Sequence, residues 1–174
     1  MALHIGASGV SHCHRIEIIK QARVESSWVE GSDVFFEQWM IEALPQSALA
    51  KREKSARTET CLLLATGVEI HRLNHEFRGV DRETNVLAFP NRTWVAEDQV
   101  ALGDLVICPK VVRREARAQG KVPRAHFLHL LLHGMLHLLG FDHVTSRQAA
   151  VMESREIAML ERLGIPNPYA EAVL

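Results

Sequence analysis

Apolar residues along the 174-residue chain fall into short blocks with two different periods. Over residues 14–20, Ile16, Ile18 and Ile19 nearly alternate with polar neighbours, which predicts a first strand. Ser32-Asp33 caps a helix running to about Leu44, because Phe35, Phe36, Trp39, Met40 and Leu44 share one face. Pro45 stops it. A charged connector over 51–57 leads to a second strand over 58–65, apolar and flanked by Thr. Thr66-Gly67-Val68-Glu69 reads as a capping box opening a helix whose core face is Ile70, Leu73 and Phe77, and Gly79 closes that helix. Two more strands follow over 84–89 and 102–108, separated by a turn-rich stretch over 90–99. Asp104, just after Gly103, reads as a turn residue at a strand start. Pro109 suits the first position of a helix running to Gly120. Pro123 starts another that continues to Leu139 and ends at Gly140, and a last helix over about 146–163 stops at Gly164.

The resulting order is β-α-β-α-β-β-α-α-α, with no internal repeat and no linker. It predicts one α+β domain over residues 14–165, with a loose leader over 1–13 and a tail over 166–174. We expect a mixed sheet of about four strands packed by five to six helices.

Composition narrows the function classes. Apolar types make up 47% and charged types 24%, with only six Pro and ten Gly, which excludes disorder and collagen-like arrays. Twenty basic residues face twenty-one acidic ones, so a wholly basic nucleic-acid coat is excluded while a local basic patch is not. Cys13, Cys61 and Cys108 are scattered and never spaced C-x-x-C, which reads as a reducing compartment without a cysteine zinc site or disulfide framework. No apolar run approaches the roughly eighteen residues of a spanning helix, and the first residues lack a signal-peptide pattern. These features predict a soluble cytoplasmic protein with no membrane partner.

Five of the ten histidines lie between His126 and His143. On a helix, His133 and His137 are four residues apart and present both imidazoles on one face. Gly140 permits the left-handed turn that ends the helix, and His143 can then fold back as a third ligand. Three neutral imidazoles leave the fourth tetrahedral position of a zinc ion open, which marks a catalytic site more than a structural one. His129 lies one turn earlier on the same face, as an alternative ligand or a supporting residue. The spacing H-x-x-x-H-x-x-G-x-x-H is also that of metzincin proteases, where a Glu follows the first His as general base. Here that position is Gly134, which has no proton to exchange, so peptide hydrolysis is disfavoured.

The run from His133-Gly134 through Leu136-His137-Leu138 to Gly140-Phe141-Asp142-His143 resembles the signature of the YbeY family of bacterial and organellar metallo-endoribonucleases. Two further blocks carry the likeness: Leu73-Asn74, Phe77-Arg78-Gly79, Asp81 and Thr84-Asn85-Val86-Leu87 through Phe89-Pro90, then Leu102-Gly103-Asp104-Leu105-Val106-Ile107-Cys108. Ala88 stands where many members have Ser, and Phe141 where many have Tyr; neither is a ligand. The resemblance implies a zincin-like fold and a zinc-dependent, single-strand-specific endoribonuclease. The implied role is maturation of the 3′ end of small-subunit rRNA and late ribosome quality control. Implied zinc ligands are His133, His137 and His143, with one Zn2+ per chain, and Arg78 matches an arginine beside the site that serves catalysis. Implied partners are single-stranded RNA, small-subunit rRNA, the ribosome, ribosomal proteins and assembly GTPases.

An RNA strand needs cations that track its phosphates. Lys110, Arg114, Arg117 and Lys121 fall at i, i+4, i+7 and i+11 and form a one-sided basic stripe, readable as an RNA contact or as a solvated face. Arg78, just past a helix end, can hold a phosphate through its planar fork or simply act as a C-terminal helix charge that complements the dipole. Asp142 can orient an imidazole or cap the next turn. Two other readings stay open: a ribosome-assembly factor with structural zinc, and a zinc peptidase.

Overall fold

The computed structural model describes residues 14–20 and 56–170. The expected leader over 1–13, the helix over 33–44 with its Pro45 stop, nearly all of the connector and the last four residues of the tail lie outside the described residues. The described chain runs β1 (His14–Lys20), β2 (Arg57–Leu64), α1 (Gly67–Arg78), β3 (Val86–Ala96), β4 (Gln99–Ile107), α2 (Pro109–Ala118), α3 (Pro123–Leu138) and α4 (Ser146–Arg162). The strands form one mixed sheet in the order β1-β2-β4-β3, parallel from β1 to β4 and antiparallel between β4 and β3.

Strand β2 alternates as its sequence demands: Thr58, Thr60, Leu62 and Leu64 are buried while Cys61 and Leu63 are half-buried on the opposite face. On the first face, Leu62, Leu64, Leu105 and Ile107 meet Phe127, Leu131, Leu132, Met135 and Leu136 of α3, and Met152, Met159 and Leu160 of α4. On the second, Leu87 and Val106 meet Ile70 of α1 and Val111 of α2. Helix α1 begins as expected, with the Thr66 hydroxyl accepting from the Glu69 amide at 3.3 Å. The Glu69 carboxylate, however, turns to Arg72 at 2.9 Å. The full reciprocal capping box forms instead between Thr145 and Gln148, ahead of α4.

Three local expectations are corrected. The stretch over 90–99 is mostly strand: β3 continues to Ala96 and pairs with β4 across two register shifts. Pro90 is tolerated there because β3 is an edge strand among the described strands and needs amide donors on one side only. Gly103 and Asp104 lie inside β4, at a bulge where Gly103 adopts φ 128°. A Cβ on Gly103 would sit 2.3 Å from the Phe89 carbonyl oxygen, so only glycine fits. Phe77 is not in the core. The last turn of α1 reaches edge strand β3, where Phe77 meets Phe89 edge-on at 5.1 Å and stays 60% exposed.

Helix α3 is buried on most of its circumference. It presses on the sheet at Gly134, where a Cβ would lie 2.8 Å from Leu105 Cδ2 and 3.4 Å from Val86 Cγ2. The position that carries the metzincin general base is thus the one that lets helix and sheet approach closely. Gly134→Leu overfills this contact and should lower the unfolding free energy by about 3 kcal/mol, the upper end for overpacking. Urea unfolding checks it; an unchanged midpoint would mean the contact is loose.

Candidate metal centre

From His126 onward the polar residues of α3 form one stripe: His126, His129, His133 and His137, spaced three, four and four apart among apolar neighbours. Beyond the first turn only one line along the helix escapes the core, and His129, His133 and His137 lie on it. The stripe ends in a glycine turn. Gly140 adopts φ 89°, the Gly140 amide donates to the His137 carbonyl at 2.9 Å, and the Phe141 amide donates to the Leu136 carbonyl at 2.9 Å. The Arg155 guanidinium of α4 covers the Phe141 ring at 4.7 Å and pins the turn to the next helix. Asp142 takes the turn role: its Oδ1 accepts from the His143 amide at 2.8 Å.

The turn brings His143 back over the stripe. Its ring centroid lies 5.2 Å from that of His133 and 5.0 Å from that of His137. One nitrogen from each of the three imidazoles falls within 4.8 Å of the others. His133 Nε2 and His137 Nε2 are 3.1 Å apart, close to the roughly 3.3 Å that tetrahedral bonds of about 2.0–2.1 Å would require. Burial, then the neighbouring His133 and His143, push His137 below the usual imidazole range and favour its neutral form. Imidazole nitrogens converging on one point, open to solvent on the His143 side, are the donor set of a metal site. The three histidines can hold a metal ion. His126 and His129 stand outside the cluster. His126 is buried against Glu115, with Nε2 3.1 Å from Oε2.

The carboxylate behind the cluster was invisible to motif reading. Glu156 sits on the buried face of α4 with Met152, Met159 and Leu160 and is 0% exposed. Its Oε1 lies 2.8 Å from His133 Nδ1, its Oε2 lies 3.0 Å from His129 Nε2, and the Tyr169 hydroxyl donates to Oε2. Burial alone would raise its carboxyl, but the hydrogen bonds from His129, His133 and Tyr169 outweigh it and bring it to about 2. Burial and the same bond to Glu156 raise the Tyr169 hydroxyl. One signal was available: a charged residue at i+4 and i−3 to methionines, where the helical period assigns core.

The other expected site residues are dispersed. Arg78 closes the last turn of α1, exposed, and its guanidinium has no ion-pair partner among the described residues. Lys110 and Arg114 both pair with Glu83, at 3.2 and 3.0 Å. Lys121 Nζ donates to the Pro168 carbonyl at 3.0 Å. Arg117 stays exposed on α2.

Residues 25–164 match the family described as endoribonuclease YbeY. An endoribonuclease YbeY of Pseudomonas entomophila is 44% identical over 142 residues, spanning 80% of this chain and 85% of that protein. One of Neisseria meningitidis serogroup B is 43% identical over 126 residues, spanning 70% and 75%. The solution structure of a Thermotoga maritima protein superposes with a TM-score of 0.53 at 25% identity, covering 91% of this chain and 99% of that one. If the three imidazoles share one ion, His133→Ala, His137→Ala and His143→Ala should each reduce bound divalent metal well below one per chain by elemental analysis. Full occupancy in all three would remove the cluster from consideration.

Proposed function

The chain belongs to the YbeY endoribonuclease family and is an endoribonuclease, a hydrolase of RNA phosphodiester bonds; we propose that it is zinc-dependent and specific for single strands. We further propose that it matures the 3′ end of small-subunit rRNA, acts in late ribosome quality control and works in the cytoplasm. Ribosomal proteins and assembly GTPases are its proposed partners. Among the described residues no helix is long and apolar enough to cross a membrane.

The observation that carries the metal reading is the convergence of His133, His137 and His143 within 4.8 Å at the end of a rigid buried helix. These three would hold Zn2+ and leave its fourth position to water or a phosphate oxygen, in a zincin-like arrangement. When bound, the ion would lower the pKa of a coordinated water towards about 7 and polarise the phosphodiester. Gly134 supplies no carboxylate beside the site, which favours RNA over peptide as substrate. Arg78 is the proposed clamp on the scissile phosphate: a planar fork, always charged and unpaired among the described residues.

The decisive assay compares zinc-loaded wild type with His137→Ala protein of verified fold on single-stranded RNA, duplex RNA and casein. Only single-stranded RNA should be cut, and only by wild type. Arg78→Glu should abolish cleavage with metal content and melting temperature unchanged; loss of all three together would make Arg78 structural.

On α2, the proposed RNA contacts are Lys110, Arg114, Arg117 and Lys121, of which Arg117 alone has no partner among the described residues. Each phosphate neutralised on a single strand contributes a slope of about −0.7 in log affinity against log salt. Arg114→Gln/Arg117→Gln should therefore flatten the measured slope by about 1.4 units, equally for every RNA sequence. An unchanged slope would assign α2 to solvent.

A further inference from the structure

Glu156 is fully buried, and a buried carboxylate is tolerated only when donors occupy its lone pairs. Its donors come from two separate parts of the chain. His129 and His133 belong to α3, whereas Tyr169 belongs to the segment that follows α4. That segment doubles back. Gly164 adopts φ 68°, the Ile165 amide donates to the Leu160 carbonyl at 3.0 Å, and Lys121 Nζ holds the Pro168 carbonyl at 3.0 Å. Tyr169 thereby arrives beside His129, with ring centroids 5.4 Å apart.

The two carboxylate oxygens have different tasks. Oε2 serves His129 and Tyr169, which are outside the histidine cluster. Oε1 serves His133, which is inside it. The carboxylate oxygen 2.8 Å from Nδ1 favours the tautomer of His133 with its proton on that nitrogen, in which Nε2 presents a lone pair toward His137. A metal-ligating imidazole needs that tautomer, and an outer carboxylate is the usual way to impose it.

We propose that Glu156 is a positioning residue for the metal centre, holding His133 with its Nε2 lone pair aimed into the cluster, and that residues 163–170 form a strap whose Tyr169 hydroxyl holds Glu156 in place. This rests on the metal site proposed above. The first residues of the tail expected over 166–174 thus become part of the centre although they contribute no ligand. A carboxylate charge directly behind His133 also strengthens it as a donor to a cation.

Glu156→Gln tests this in the full-length chain. A glutamine of the same shape can accept from His133, but its amide then opposes the His129 and Tyr169 donors, and the charge is gone. Zinc affinity, measured by competition with a chromophoric chelator, should fall about 10- to 100-fold. The visible absorption of the cobalt(II)-substituted protein should shift, a change that lost packing alone would not produce. Tyr169→Phe keeps the ring and removes one neutral donor, so zinc should weaken by about 2- to 10-fold, and this variant decides the matter if Glu156→Gln does not fold. Affinities within twofold of wild type and an unshifted cobalt spectrum in the folded variants would overturn the positioning role while leaving the site itself intact. Failure of the wild type to take up zinc would overturn both.

Discussion

The close seating of α3 on the sheet is the constraint from which the remaining architecture follows. Eight apolar side chains and Gly134 are buried along this helix, so it contacts protein on nearly every side. A helix so placed has one line on which polar groups can survive, and His126, His129, His133 and His137 occupy it. His133 and His137 of the cluster therefore stand on a buried helix, which fixes them more tightly than a loop could. The same contact explains Gly134. A residue with a side chain would push the helix off Leu105 and displace the whole stripe.

A second constraint is electrostatic. Glu156 places a negative charge in the interior, and three donors from two segments keep it there. Removing any donor leaves part of a buried charge unsatisfied, which is far costlier than losing an exposed ion pair. The network consequently ties α3, α4 and the strap into one unit around the cluster. The surface cations of α2 behave differently. Lys110 and Arg114 share Glu83 in an exposed setting, where each pair contributes about 0–1 kcal/mol. An approaching phosphate can compete for cations held so weakly, so intramolecular pairing and RNA contact are compatible uses of the same residues.

Much of this was legible in local patterns because local physics decides them. Pro109 and Pro123 open helices, Gly79, Gly140 and Gly164 take positive φ where helices stop, and the i, i+4 pair His133 and His137 shares a face wherever that helix is placed. The return of His143 was also foreseeable, since a glycine turn after His137 leaves few directions for three residues. Phe77, Gly103 and the stretch after Pro90 were misread for one reason. Their environment is set by which strand lies at the edge and where a bulge falls, and strand order is a long-range choice that no window of neighbours records.

Glu156 and Tyr169 mark the boundary most clearly. Glu156 looks like any helix carboxylate, and Tyr169 like a residue of a C-terminal tail. Only the packing of α4 across α3 and the reversal at Gly164 bring them together behind His133. A histidine triad made from one helix and its terminating turn is encoded by spacing, because helical geometry is the same everywhere. The carboxylate that orients it comes from 23 positions away and its hydroxyl partner from 13 further on. Those separations are bridged by the burial of apolar faces, which selects partners in three dimensions and leaves no periodic trace along the chain.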